Sequence, residues 1–241
     1  MHDRDVLRAP SLEFIDDAAR HSFTFIDPPF QFNAPNVALY PPEVSGHHLL
    51  RSMTRRLGWN SLSGKRMLDV GCGVRFARAI INLGLDIGLY VGADVNRDSI
   101  AWLQANVADE RFTFVHVNDY NPLYNPGGDP AEDYASLRPF ADRRFDVACM
   151  FSVITHQRPD EARRTFELLH DLMKGTGLLY FTAFLDTRFA DYGEAAEQIC
   201  LKSTYNPAYL TALCRDCGWD IERLYMPAPF QQHAIVCRAS S

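Results

Sequence analysis

One stretch, Met67-Leu-Asp-Val-Gly-Cys-Gly-Val-Arg-Phe-Ala77, constrains the fold of this chain more than any other. A mostly apolar run, Met67 to Val70, breaks into Gly71-Cys72-Gly73 and then into a helix-like pattern over Phe76–Leu83. That order predicts a strand, a tight turn and a helix start. The glycines let the backbone turn sharply and come close to a ligand. The helix that follows points free N–H groups and its positive end at the turn. Such a place suits an anionic or polar cofactor.

Two acids sharpen this reading. Asp69 sits just ahead of the glycines, and Ile87-Gly-Leu-Tyr-Val-Gly-Ala-Asp94 reads as a second strand ending in a carboxylate. An acid at the tip of a second parallel strand accepts both hydroxyls of a ribose. The NAD fingerprint shares that acid, but a carboxylate at Asp69 would repel a pyrophosphate. S-adenosylmethionine carries an ammonium and no phosphate, so an acid there is favourable. The order acid–Gly-x-Gly–acid resembles the class I methyltransferases that use S-adenosylmethionine. That family usually has a third glycine soon after Gly73, where this chain has Val74-Arg75-Phe76. Either the turn is one residue shorter, or Arg75 occupies the cofactor's rim.

The rest of the chain alternates strand and helix patterns. Ser45 and Gly58 bracket a helix with Leu49, Met53 and Leu57 on its buried face. Arg97–Val107 is a helix with Ile100, Leu103 and Val107 on one side, and Phe112–Asn118 is the third strand. Asp129-Pro130-Ala-Glu132 signals a short helix running through Leu137. Phe145–Met150 is the fourth strand. A helix from Pro159 follows, with Ala162, Phe166, Leu169 and Met173 as its stripe, and Leu178–Leu185 is the fifth strand. After a helix over Pro207–Cys217 come strands Asp220–Met226 and His233–Arg238 with no helix between them, which implies an antiparallel hairpin. The fold expected is α/β: a Rossmann-like class I methyltransferase sheet, mostly parallel, with a C-terminal antiparallel hairpin and helices on both faces. A plain dinucleotide-binding fold lacks that ending.

The length suits one domain over 1–241, with a core over 45–241 and an irregular segment over 1–44. That segment carries Phe23, Phe25, Phe30, Phe32 and Tyr40 among prolines. It reads as a coil pinned to the core, as a lid across the cleft, or as both. A net charge of −6 without a long basic run argues against nucleic-acid partners. No apolar run approaches the roughly 18 residues of a membrane span, and the charged N-terminus does not read as a signal peptide. A cytoplasmic protein follows. The lone Cys214-x-x-Cys217 reads as two reduced thiols and not as a zinc half-site, and no metal site is expected. A homo-oligomer stays open.

Two segments carry a narrower resemblance. Asn121-Pro-Leu-Tyr-Asn-Pro-Gly-Gly128 and Phe151-Ser-Val-Ile-Thr-His156 look like segments of bacterial enzymes that methylate sugar hydroxyls or related natural products. The resemblance implies that S-adenosylmethionine lies among Asp69, Gly71, Gly73, Asp94, Val95, Asn118, Asp119 and Phe151. It implies a small-molecule acceptor, a carbohydrate or glycoside, against Tyr120, Asn121, Tyr124 and Asn125. That group tends to have Asp where Asn118 stands, so either Asn118 or Asp119 takes the adenine amine. It also tends to have Lys-Pro-Gly-Gly where Lys174-Gly-Thr-Gly177 stands.

The reaction would be a direct displacement at the sulfonium methyl, with the enzyme aligning the acceptor oxygen behind it. A sugar hydroxyl is a poor nucleophile at neutral pH, so a positioned base is useful. Histidine suits that task, and His156 follows the fourth strand at the sheet's carboxyl edge. The competing role for His156 is to cap the next helix. His116 reads as a strand histidine. Two further functions compete: an NAD-dependent oxidoreductase, and a module that binds S-adenosylmethionine without chemistry.

Overall fold

Five parallel strands form the centre of the sheet: β1 (Arg66–Val70), β2 (Leu89–Asp94), β3 (Phe112–His116), β4 (Val147–Met150) and β5 (Leu178–Leu185), in the order β3-β2-β1-β4-β5. The computed structural model describes residues 25–32, 42–122, 124–132, 134–173, 177–195, 202–227 and 231–240. Phe23 and Tyr40 of the expected lid, and residues 174–176 of the expected helix stop, lie outside them. A parallel sheet is covered on both faces and so reads as continuous apolar sequence. Met67, Leu68 and Val70 are accordingly buried.

β6 (Tyr192–Glu194) and β7 (Ser203–Tyr205) form a short antiparallel pair, and β8 (Trp219–Tyr225) and β9 (His233–Ala239) a longer one. β9 runs antiparallel along β5 from Leu178 to Ala183, which confirms the expected hairpin ending. β9 begins opposite Ala183. Beyond that point β7 takes the free edge of β5 at Phe184 and Leu185. No sequence pattern marked β6 and β7, because three residues are too few for alternation to show.

Helices α1 (Pro42–Leu57), α2 (Arg75–Asn82) and α3 (Arg97–Asn106) cover one face of the sheet; Met53, Phe76, Ile80 and Leu103 pack there against Met67 and Tyr90. Helices α4 (Pro159–Met173) and α5 (Pro207–Asp216) cover the other, where Phe166, Leu169 and Leu213 meet Leu68 and Phe181. The stripe Ala162, Phe166, Leu169 and Met173 is buried as expected. Among the described residues, no helix is long and apolar enough to cross a membrane.

The two larger departures from expectation have physical reasons. α1 opens at Pro42, not at Ser45, which lies inside its first turn. Proline fixes φ and has no N–H, which fits it to the first helical position. The helix expected over 129–137 is replaced by turns and a 3-10 stretch, Ala135–Arg143. Asp129 Oδ1 accepts the Ala131 N–H at 2.9 Å, closing a local turn that competes with helix. Tyr134, at φ +53°, then breaks the path, and Pro139 sits inside the 3-10 stretch.

The described part of the N-terminal segment is tied down. The Ile26 N–H donates to Asn82 Oδ1, and Asn82 Nδ2 donates back to the Ile26 carbonyl, both at 2.7 Å. The buried Arg78 pairs with Asp27 at 2.9 Å and with Glu43 of α1. Two helices and the segment are thereby joined at one ionic node.

Candidate active site

Three loops meet at the carboxyl edge of the parallel strands. The first is the glycine turn between β1 and α2. The N–H groups of Gly71 and Cys72 both donate to the Ala93 carbonyl, at 2.8 and 3.1 Å. Gly71 has φ +72°, and a Cβ there would lie 2.5 Å from Val153 Cγ2. Gly73 has φ +48°, and a Cβ there would meet nothing within 4 Å. The turn thus needs glycine for conformation at both positions, and open space lies beside the second.

Asp94, at the tip of β2, ties this turn to the next helix. Its Oδ2 accepts the Gly73 N–H and its Oδ1 the Asn96 N–H, each at 2.8 Å. Asn96 in turn caps α3 by accepting the Ser99 N–H at 3.0 Å. Burial pushes the Asp94 carboxyl up, against the hydrogen bonds from Asn96, Gly73 and Val95. The Val95 carbonyl meets His116 Nε2 at 3.2 Å, which gives that strand histidine a structural partner.

Asp69 lies deeper, under the turn. It stands opposite Gly92 on β2 and Cys149 on β4. The Tyr90 hydroxyl donates to its Oδ2 at 2.6 Å and the Cys149 thiol to its Oδ1 at 3.4 Å. Gly92 makes room for this cluster: a Cβ there would lie 2.8 Å from Tyr90 Cε1 and 3.0 Å from Cys72 Sγ. Burial, only partly offset by these two donors, pushes the Asp69 carboxyl up to about 7. The position is the one expected of the first acid, but the carboxyl faces the core through two neutral donors.

The second loop follows β3. Asn118 Oδ1 and the Asp119 carbonyl both accept from Asn125 Nδ2, at 3.4 and 2.9 Å. The backbones of Asn121 and Asn125 exchange two hydrogen bonds, and Asn121 Oδ1 accepts the Tyr124 N–H at 2.9 Å. The amides of Asn121 and Asn125 therefore hold the loop in shape. Tyr120 and Tyr124 are its exposed aromatic groups, at 44% and 47%. Leu123 lies outside the described residues.

The third loop follows β4. The Phe151 ring lies edge-on to Phe76 and tilted against Tyr180, with centroids at 4.9 and 5.1 Å. Ser152 then adopts φ +60°, unusual for a residue with a side chain. Its N–H donates to Thr182 Oγ1 at 2.9 Å, and its Oγ accepts from Gln232 Nε2 at 2.7 Å. Thr182 Oγ1 donates on to Gln232 Oε1. The loop ends in a 3-10 turn, Ile154–His156. The His156 ring meets that of Tyr124 edge-on, at 6.3 Å. His156 does not hold the cap position of α4. Arg158 stands there, its carbonyl accepting the Ala162 N–H and its N–H donating to Glu161 Oε2.

The turn, both acids and the loop bearing His156, all singled out in the sequence, meet at this edge. The sequence did not mark Ser152, Thr182 and Gln232 as a unit. Nor did it show that Gly92 opens the space beside Asp69.

The parallel sheet, its antiparallel ending and the acid-flanked glycine turn define a class I methyltransferase. A family model described as a methyltransferase domain matches residues 45–224, and the chain belongs to that family of S-adenosylmethionine-dependent enzymes. No curated protein matches it. Among solved structures, the 1,6-didemethyltoxoflavin-N1-methyltransferase of Burkholderia thailandensis superposes with a TM-score of 0.54 at 17% identity, over 90% of this chain and 94% of that one. It holds 1,6-didemethyltoxoflavin and S-adenosylhomocysteine. The magnesium protoporphyrin IX methyltransferase of Synechocystis PCC 6803, with S-adenosylmethionine bound, has a TM-score of 0.54 at 16% identity, over 98% and 95%. These likenesses share the fold.

Proposed function

We propose that this methyltransferase transfers a methyl group from S-adenosylmethionine to a hydroxyl of a sugar or glycosylated metabolite, with His156 as general base. The observation that carries the reading is the placement of His156. Its loop touches the glycine turn through Val153, and its ring meets an exposed tyrosine of the loop after β3.

The residues present fit the cofactor. Open space adjoins Gly73, and the Asp94 carboxylate accepts the N–H groups of Gly73 and Asn96 on its two oxygens. An ionised carboxylate has about four acceptor sites, so capacity for a ribose remains. Asn118 or Asp119 receives the adenine amine in this reading. Phe151 and Val95 line the cofactor's flanks. When bound, S-adenosylmethionine supplies an electrophilic methyl group on its sulfonium.

His156 takes the hydroxyl proton as the acceptor oxygen becomes a nucleophile, which contributes about 10²–10⁴ in rate. The Ser152–Thr182–Gln232 network fixes the loop that holds it. Tyr120 and Tyr124 offer rings to the apolar face of a sugar and hydroxyls to its polar rim. The similar structures, one holding 1,6-didemethyltoxoflavin and one a magnesium protoporphyrin IX methyltransferase, support a small-molecule acceptor. Cys72, Cys149, Cys214, Cys217 and Cys237 are all free, which supports a reducing, cytoplasmic setting.

The test is a panel of sugars, glycosides and heteroaromatic amines incubated with methyl-labelled S-adenosylmethionine. Label recovered as a methyl ether on a sugar supports the reading. Label confined to nitrogen acceptors overturns it.

A further inference from the structure

A charge taken out of water is ordinarily paired. Arg78 obeys that rule, with Asp27 and Glu43 as partners. Arg75, one turn earlier on the same helix, does not. Its side chain is half-buried, yet among the described residues its guanidinium has no hydrogen bond and no ion pair. Its stem is held in place. A Cβ on Gly46 of α1 would lie 2.6 Å from the Arg75 carbonyl and 3.1 Å from its Cγ. The anchored stem leaves the head as the adaptable part. Arg75 stands two residues past Gly73, beside the open space there.

The groups around it leave the charge uncompensated. Burial pulls the Arg75 guanidinium down, and Asp69 is the charge that opposes this. Asp69 itself sits among Tyr90 and Asp94 of β2, Cys149 of β4 and Cys72 of the turn. Burial pushes the Tyr90 phenol and the Cys72 and Cys149 thiols well up, so none of them is an anion at neutral pH. Asp69, pushed up to about 7, is only partly one. Asp94 holds the backbone N–H groups of Gly73 and Asn96 and makes no contact with Arg75 among the described residues.

We propose that Arg75 binds the carboxylate at the amino-acid end of the cofactor. The proposal rests on the reading that the cofactor lies over the glycine turn. A guanidinium matches a carboxylate in a two-pronged contact.

Calorimetry with S-adenosylmethionine and with its decarboxylated analogue isolates the contact. The two ligands differ by one carboxylate. Wild-type protein should bind the intact cofactor about 10- to 100-fold more tightly, the worth of a hydrogen bond between charged groups. Arg75→Ala should shrink that gap to under about 3-fold while hardly changing affinity for the analogue. Arg75→Lys should keep part of the gap, and it serves in place of the alanine variant if that fails to fold. An unchanged gap in both variants, with binding intact, overturns the role of Arg75 alone. Failure of wild-type protein to bind either ligand overturns the cofactor-site reading and Arg75 with it.

Discussion

Tyr90 donates its hydroxyl to Asp69 Oδ2 at 2.6 Å, reaching from β2 to β1 beneath the glycine turn. The bond satisfies a carboxyl that is only 2% exposed, but a hydroxyl supplies no charge. The folded protein therefore holds Asp69 as an acid with a value pushed up to about 7.

That value sets a pH dependence with a definite sign. In the unfolded chain Asp69 ionises near 4, as aspartates ordinarily do. Between about pH 4 and pH 7 the folded state keeps a proton that the unfolded state gives up. Stability from this group is thus lost as pH rises through that window and levels off above it. Asp69→Asn has no such proton. Relative to wild type, the variant should gain on the order of 1 kcal/mol per pH unit from pH 5 to 7. Urea melts at pH 5, 6, 7 and 8 measure this. A difference that stays constant across the series contradicts the assignment.

Asp94 joins the turn and the ribose site. Asp94→Ala removes an acceptor for two hydroxyls, each bond contributing about 1 kcal/mol or more with a charged partner. Affinity for S-adenosylmethionine should fall at least several-fold, on the order of that energy. Unchanged binding by calorimetry would place the ribose elsewhere.

Gly92 is required by packing. Gly92→Ala would press a methyl group onto Tyr90 Cε1, Cys72 Sγ and Phe114 Cδ1, all within 3.1 Å. Overpacking of this kind costs about 1–3 kcal/mol. Chemical denaturation should show a loss in that range, and an unaffected midpoint would mean that the cluster relaxes freely.

Ser152 is held by its neighbours in a conformation that glycine prefers. Ser152→Ala keeps the strain and loses the Gln232 contact, whereas Ser152→Gly loses the same contact but relieves the strain. The glycine variant should be the more stable of the two, by about 1 kcal/mol. Thr182→Val should cost about 1–3 kcal/mol by leaving the Ser152 N–H without an acceptor. Melting temperatures ranking alanine above glycine would remove strain from the account.

Much of this site was legible as local pattern. The glycine turn, Asp69, Asp94 and the late hairpin each declare themselves within a few residues, because turn chemistry and strand endings are local. Errors arose where two local signals competed. Ser45 suits a helix cap, yet the helix opens three residues earlier at Pro42. Asp129-Pro130 signals a helix, yet Asp129 closed its own turn instead. Asn125 spends its amide on the backbone and side chain six and seven residues away, a use that no local pattern shows. Ser152, Thr182 and Gln232 were invisible together because the contacts join residues 30 and 80 positions apart. Only the fold brings them together.

The claim that His156 is the base is tested most directly by methyl-transfer rate against pH, for wild type and His156→Ala with the best sugar acceptor. The alanine variant should lose about 10²–10⁴ in kcat and keep its affinity for S-adenosylmethionine. Wild-type kcat should depend on pH as general-base catalysis requires, and the variant should lack that dependence. A variant with near-normal kcat and the same pH profile would contradict the account.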